Sequence, residues 1–128
     1  MKSIVIVANW KSNKTVAEAD SWLGSFKSPA GDLTIILAAP FTLLHLLHER
    51  KSGFELGAQD VSPLGVGAFT GAINARQLKE LVDWVIIGHS ERRKNFGETD
   101  DILKQKVLQA KSAGLRVIFC VSNQSETV

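Results

Sequence analysis

Five short apolar runs, separated by segments with helical periodicity, constrain the fold of this chain more than any other feature of its sequence. The runs cover residues 4–8, 33–39, 54–58, 84–87 and 115–121, and apolar residues are nearly continuous within each of them. Strands that are covered on both faces have this composition, as in a parallel sheet under helices. The runs therefore predict five strands of one parallel sheet.

Four helices are predicted between these strands. Suitable N-cap residues precede three of them, at Thr15, Asn74 and Thr99. The first helix carries an apolar stripe formed by Val16, Ala19, Leu23 and Phe26. The second covers residues 42–51 and stops before Gly53. Strands and helices thus alternate, which indicates right-handed crossovers between parallel strands.

Two architectures share this order of elements, a doubly wound open sheet and part of a closed βα barrel. Periodicity does not separate them. A dinucleotide-binding sheet would need a Gly-x-Gly-x-x-Gly turn after the first strand, and Asn9-Trp10-Lys11 stands there instead. With 128 residues, the chain has about half the ~250 residues of a closed barrel. Because no linker divides it, residues 1–128 are predicted to form one domain.

Charge and cysteine content narrow the function classes. The formal net charge is +2 and the charged residues are scattered, so we expect neither a nucleic-acid surface nor a polybasic membrane anchor. The single cysteine, Cys120, excludes an internal disulfide and suits a reducing compartment. No signal-peptide pattern precedes the first strand, and no apolar run has the length of a membrane span. We expect a soluble cytoplasmic protein.

Polar residues recur at the carboxyl ends of the predicted strands. Asn9 and Lys11 follow the first strand, Gln59 the third and His89 the fourth. The carboxyl ends of parallel strands face one side of a βα fold, so these four side chains are predicted to converge on one surface. Each of them alone is also compatible with an ordinary solvated loop.

Five motifs give the chain a specific resemblance. They are Asn9-Trp10-Lys11, Gly57-Ala58-Gln59-Asp60, Gly67-Ala68-Phe69-Thr70-Gly71, Gly88-His89-Ser90-Glu91-Arg92-Arg93 and Phe96-Gly97-Glu98-Thr99-Asp100. In this order and spacing the chain resembles the N-terminal half of the triosephosphate isomerase family over essentially its whole length. The resemblance implies a partial (βα)8 barrel of about four βα units plus a fifth strand. It also implies interconversion of dihydroxyacetone phosphate and glyceraldehyde 3-phosphate through an enediolate, with no cofactor and no metal.

The resemblance also implies roles for individual residues. His89 matches the family's electrophile and would be neutral, because the N-terminus of the following helix disfavours its protonated form. Lys11 would place a cation beside the developing oxyanion and the substrate phosphate, and Asn9 would donate a hydrogen bond to the substrate. Glu91 would hold Lys11 or a neighbouring backbone group, with Ser90 in a supporting role. The alternatives are a structural histidine, a solvated lysine, a loop-shaping asparagine and a plain surface ion pair.

A subunit interface is implied as well. Gln59, Thr70 and Gly71 match positions at which the family's subunits meet, through the loop of residues 63–73, so a homo-oligomer is expected. Ala72 replaces a glutamate that usually pairs across this interface. The expected contact is therefore weaker than usual in the family.

The family's catalytic glutamate, lid and glycine-rich phosphate loop follow later strands and have no match in this sequence. The resemblance therefore implies a complementing C-terminal fragment, without which the chain is not expected to catalyse. Many inward side chains of residues 4–7, 35–37, 85–87 and 117–119 are then expected to face water or a partner. A non-catalytic half-barrel that associates with itself is the alternative, and an unrelated flavodoxin-like binding domain is a third. Ser122-Asn123 also departs from the family's usual glycine-glutamate after the fifth strand.

Overall fold

The computed structural model describes residues 3–121, which contain one sheet of five strands. The strands are β1 (Ile4–Asn9), β2 (Leu33–Ala39), β3 (Glu55–Ala58), β4 (Trp84–Ile87) and β5 (Arg116–Phe119). All neighbouring strands pair in parallel. The five predicted strands are therefore confirmed, while the departure at Ser122-Asn123 lies outside the described residues.

The strand order separates the two architectures that the sequence left open. Along the sheet the strands follow each other as β1-β2-β3-β4-β5, in the order of the chain. A doubly wound sheet reverses its strand order at a switch point, and the described sheet has no such reversal. Right-handed crossovers that always move in one direction place every helix on the same face of the sheet. The described residues thus form part of a (βα)8 barrel, as predicted.

Five helices connect these strands: α1 (Val16–Ser25), α2 (Phe41–Arg50), α3 (Ala75–Lys79), α4 (Ser90–Asn95) and α5 (Asp100–Ser112). The predicted N-caps are confirmed, since the side chains of Thr15, Asn74 and Thr99 each accept a hydrogen bond from a backbone N–H of the first turn. Helix α4 was not predicted, because its six residues are polar or charged and none of them is buried. No helix within residues 3–121 has the length and apolar character needed to cross a membrane.

The core lies between the sheet and the helices. Leu37, Leu56, Val85 and Ile87 are almost fully buried there, in one cluster with side chains of α2 and α5. Ile36 and Ile86 lie outside that cluster and are nevertheless 0% and 4% exposed. The expectation that inward side chains face water or a partner is therefore wrong for Ile36 and Ile86. Curling of the sheet brings side chains of neighbouring strands over one another on its concave face.

The two outer strands differ from the centre of the sheet. Ile4, Val5, Ile6 and Val7 of β1 are 57%, 53%, 46% and 39% exposed, and Phe119 of β5 is 47% exposed. Among the described residues β1 pairs only with β2, and β5 pairs only with β4. Each outer strand therefore has a backbone edge that can pair with another strand.

One residue of helix α1 also differs from its prediction. Val16 is exposed, so its assignment to the buried stripe of α1 was wrong.

Candidate active site

A pocket of about 290 Å³ opens at the carboxyl ends of β1, β3 and β4. Its lining includes five of the residues singled out in the sequence: Asn9, Lys11, Gln59, His89 and Glu91. Lining residues that contact each other are separated by up to 80 positions in the chain, as Lys11 and Glu91 are. The parallel sheet is what brings them together, because each residue follows a strand that ends at this side.

The loop after β1 presents Lys11 in an unusual backbone conformation. Its φ of 55° lies in the left-handed region, which costs a non-glycine residue about 1–2 kcal/mol. Two hydrogen bonds hold it there: its N–H donates to Asn9 Oδ1 at 2.8 Å, and Gln59 Nε2 donates to its carbonyl oxygen at 2.8 Å. Gln59 thus supports the Lys11 loop from β3, a contact that its predicted interface role did not include.

The ammonium group of Lys11 is directed at Glu91. Lys11 Nζ lies 2.6 Å from Glu91 Oε1, and about half of each side chain is exposed. The hydrogen bond from Lys11 lowers the pKa of the Glu91 carboxyl, against a smaller opposing effect of burial. An ion pair this exposed contributes little to folding. Its consequence is positional, because it keeps a charged ammonium group over the pocket.

His89 is fixed in the lining of the pocket as the N-cap residue of α4. Its Nδ1 accepts a hydrogen bond from the backbone N–H of Glu91 at 3.1 Å, and its side chain is 25% exposed. A ring nitrogen that accepts from an N–H carries no proton, so the bond selects the tautomer that is protonated at Nε2. In this tautomer His89 can donate one hydrogen bond from Nε2.

A partly buried cluster of four charged side chains adjoins the pocket through Asp60 and Arg92, and the sequence analysis missed it. Lys106 of α5 binds Asp60 at 2.6 Å and also binds Glu98, while Arg92 contacts the same two carboxylates at 3.2 and 2.9 Å. The side chains of Lys106 and Glu98 are each only 4% exposed. Burial raises the pKa of Glu98, but hydrogen bonds from Lys106 and Arg92 outweigh it and the net shift is downward.

One signal in the sequence could have revealed this cluster. Lys106 lies three residues after Leu103 and four before Ala110, so a helical period places it on the apolar stripe of α5. A lysine is almost never buried without a charged partner. Because Asp60 and Arg92 also line the pocket, the cluster joins the pocket to the helix layer.

The remaining predicted site residues lie elsewhere. Ser90 borders a separate small pocket, which it shares with Gly88, Arg93 and Cys120. Burial raises the pKa of the Cys120 thiol, with a smaller opposing effect of Arg93. Thr70 and Gly71 are exposed in the loop after β3 and do not line the main pocket. Within residues 3–121 no three His, Cys, Asp or Glu side chains are grouped as metal ligands.

A sequential parallel sheet with polar side chains gathered at the carboxyl ends of its strands defines part of a βα barrel of the TIM type. Residues 4–128 match the model of the triosephosphate isomerase family. The chain belongs to that family.

Individual relatives agree with this assignment. The triosephosphate isomerases of Synechocystis sp. and Gloeothece citriformis are each 44% identical to this chain over an alignment of 128 positions. The alignment covers 94% of the chain and 53% of the relative. The triosephosphate isomerase of Alkaliphilus metalliredigens is 42% identical over 126 residues, with 94% of the chain and 51% of the relative covered. The chain spans about half the length of the curated relatives that it matches.

Proposed function

We propose that this chain supplies the N-terminal part of a triosephosphate isomerase, which interconverts dihydroxyacetone phosphate and glyceraldehyde 3-phosphate by proton transfer through an enediolate. The observation that carries the proposal is that Asn9, Lys11 and His89 line one pocket at the carboxyl ends of β1 and β4. In this proposal Lys11 and His89 are catalytic, and Asn9 and Lys11 bind the substrate. The single cysteine of the sequence suits a reducing compartment, so we place the reaction in the cytoplasm.

The chemistry of the pocket fits the half of this reaction that stabilises negative charge. When a base removes a proton from the carbon next to a carbonyl, charge develops on the carbonyl oxygen. A neutral imidazole that donates from Nε2 and a nearby ammonium group are the donors that such an oxygen requires. His89 and Lys11 provide this pair, and Glu91 keeps the ammonium group in place.

The pocket is poorly suited to the other step that the reaction requires, which is removal of the proton. The carboxylates that line it in the described part of the chain are Asp60 and Glu91. Asp60 is bound by Lys106 and Arg92, and Lys11 lowers the pKa of Glu91. A carboxylate that is held in its charged form by cations is a weak base. We therefore infer that the catalytic glutamate, the lid and the phosphate loop come from a complementing C-terminal fragment.

The experiment that tests the proposal is an isomerase assay of the chain with and without the C-terminal half of the Synechocystis relative. We expect activity only in the mixture, because the two halves together supply donors and base. Complex formation is followed in parallel by size-exclusion chromatography. Equal activity of the chain alone would contradict the need for a fragment, and a stable but inactive complex would contradict the proposed reaction.

A non-catalytic, self-associating half-barrel is the second candidate, and the loop after β3 favours it. Three of its apolar side chains, Leu64, Val66 and Phe69, are 43%, 69% and 42% exposed. Exposed apolar side chains that cluster in one loop are typical of an association surface. Self-association through this loop is also compatible with the enzymatic proposal.

We predict that Thr70→Arg disrupts any dimer that forms through this loop, because a long charged side chain would be forced into the contact. Sedimentation velocity of the chain before and after the substitution measures the effect. Ser52→Arg is the matched control, since Ser52 is exposed at the opposite end of β3. The same oligomer with and without Thr70→Arg would rule out a loop-dependent dimer.

A further inference from the structure

The guanidinium group of Arg93 joins the carboxyl ends of two neighbouring strands. Arg93 lies in α4, where its Nε donates to the carbonyl oxygen of Gly88 at 2.8 Å and its Nη2 donates to that of Cys120 at 2.8 Å. Gly88 directly follows β4 and Cys120 directly follows β5. The last backbone bond between these strands runs from Cys120 N–H to the carbonyl of Ile87, at 2.9 Å. Arg93 therefore extends the hydrogen-bonded connection between β4 and β5 by one residue beyond their last backbone bond.

The packing around this bridge is tight. Gly88 has a φ of 82°, in the left-handed region that favours glycine. A Cβ atom at this position would lie 2.9 Å from Arg93 Nη2 and 3.3 Å from the carbonyl oxygen of Cys120. The absence of a side chain at Gly88 is what allows the guanidinium group to reach both carbonyls.

The bridge acts on the peptide that leads into His89. The carbonyl of Gly88 belongs to the peptide bond between Gly88 and His89. A donor that binds this oxygen therefore fixes the orientation of the peptide plane. The backbone of His89 is also held from α4, since the N–H of Arg93 donates to the carbonyl of His89 at 3.2 Å. The ring is held through Nδ1 by the N–H of Glu91.

We propose that Arg93 is a positioning residue for His89: it fixes the Gly88–His89 peptide and thereby keeps Nδ1 of the imidazole on the N–H of Glu91. The inference rests on the proposed function, in which His89 donates from Nε2. Arginine is suited to the task because its planar fork donates in two directions from one side chain. A lysine donates from a single point and cannot span the two carbonyls in the same geometry.

The charge of Arg93 does not explain its position. Its carboxylate neighbour is Asp100, whose Oδ1 is 3.8 Å from Arg93 Nη1 and whose side chain is fully exposed. Such an ion pair contributes little. The ring of Phe119 lies 5.7 Å from the guanidinium carbon, which is within the range of a cation–π contact. The two carbonyl oxygens are thus the short contacts of this side chain in the described residues.

The test is the nitrogen-15 spectrum of the His89 imidazole, recorded in the complex of the full chain with the C-terminal half. The sequence has three histidines, and the signals of His89 are identified by their loss in His89→Gln. The unsubstituted chain is expected to show one protonated and one unprotonated ring nitrogen. In Arg93→Lys the nitrogen-15 chemical shifts of these two ring nitrogens are expected to move toward their average. The kcat is expected to fall by about 10²-fold with KM nearly unchanged.

Two comparisons separate positioning from a structural role. Lys94→Gln removes a charge from an exposed neighbour on the same helix and is expected to leave the imidazole spectrum unchanged. In Arg93→Ala, added methylguanidinium is expected to restore the spectrum, whereas methylammonium is not.

Three results would overturn the proposal. They are an unchanged imidazole spectrum in Arg93→Lys, an equal change in Lys94→Gln, and general loss of amide dispersion in Arg93→Lys. The last would make Arg93 a residue that holds the fold. An inactive unsubstituted complex would contradict the proposed function alone, because the spectrum of His89 tests the bridge without catalysis.

Discussion

In the complex of this chain with a C-terminal half, His89→Gln is expected to lower kcat for triose phosphate isomerisation by about 10²–10³-fold. Glutamine can still donate a hydrogen bond, but its side chain lacks the acceptor nitrogen that the N–H of Glu91 holds in place. The donor would then no longer be fixed toward the oxygen on which charge develops. Steady-state kinetics in both directions of the reaction measure the loss.

Lys11→Ala is expected to be at least as damaging, because it removes a positive charge that acts on both the substrate and the transition state. We expect kcat to fall by about 10²-fold or more and KM to rise at the same time. Matched controls are His45→Gln, since His45 is largely exposed on α2, and Lys14→Ala, which removes a cation from the same loop as Lys11. If His89→Gln and Lys11→Ala both retain activity close to that of their controls, our assignment of the site is wrong.

The second large effect concerns the chain on its own, which is expected to lack a cooperative unfolding transition. Four consecutive aliphatic side chains of β1 are between 39% and 57% exposed. Full burial of such a side chain contributes about 1.5–3 kcal/mol, and the net stability of a small domain is only about 5–15 kcal/mol. Partial exposure at both edges of the sheet thus removes a large share of the available stability.

Calorimetry and binding of a hydrophobic dye measure this prediction. The chain alone is expected to bind the dye and to unfold over a broad temperature range, as states without fixed packing do. Addition of the C-terminal half is expected to abolish dye binding and to produce one sharp transition. A monomer that unfolds sharply and binds no dye by itself would show that five strands close their own core.

Local signals in the sequence were sufficient for most of the secondary structure. Thr15, Asn74 and Thr99 cap their helices through contacts that span three residues, which a sequence displays directly. Helix α4 was not predicted because it has no apolar stripe, so nothing in its residues distinguishes it from a loop. Its N-cap is His89, and histidine is not among the residues that usually cap a helix.

The location of the candidate active site could be predicted from the sequence, but the hydrogen bonds and ion pairs within it could not. Residues that follow parallel strands must meet at one end of the sheet, and this rule alone indicated Asn9, Lys11, Gln59 and His89. Which donor meets which acceptor depends on side-chain direction and on the curvature of the sheet. The support of Lys11 by Gln59 and the pairing of Lys106 with Glu98 therefore emerged only from the structure. The same curvature buries Ile36 and Ile86, whereas the sequence analysis expected such side chains to face water or a partner.

The exposed face of β1 also has a kinetic consequence. Residues 4–7 are Ile-Val-Ile-Val, an uncharged β-branched segment without proline, which is the composition of strands that stack into fibrils. The edge that would receive a C-terminal half can equally receive another copy of β1. The rate of capture by the other half is proportional to the product of the two concentrations, whereas the rate of stacking is proportional to the square of the concentration of this chain. Dilute synthesis beside an excess of the other half would therefore favour the barrel over the fibril.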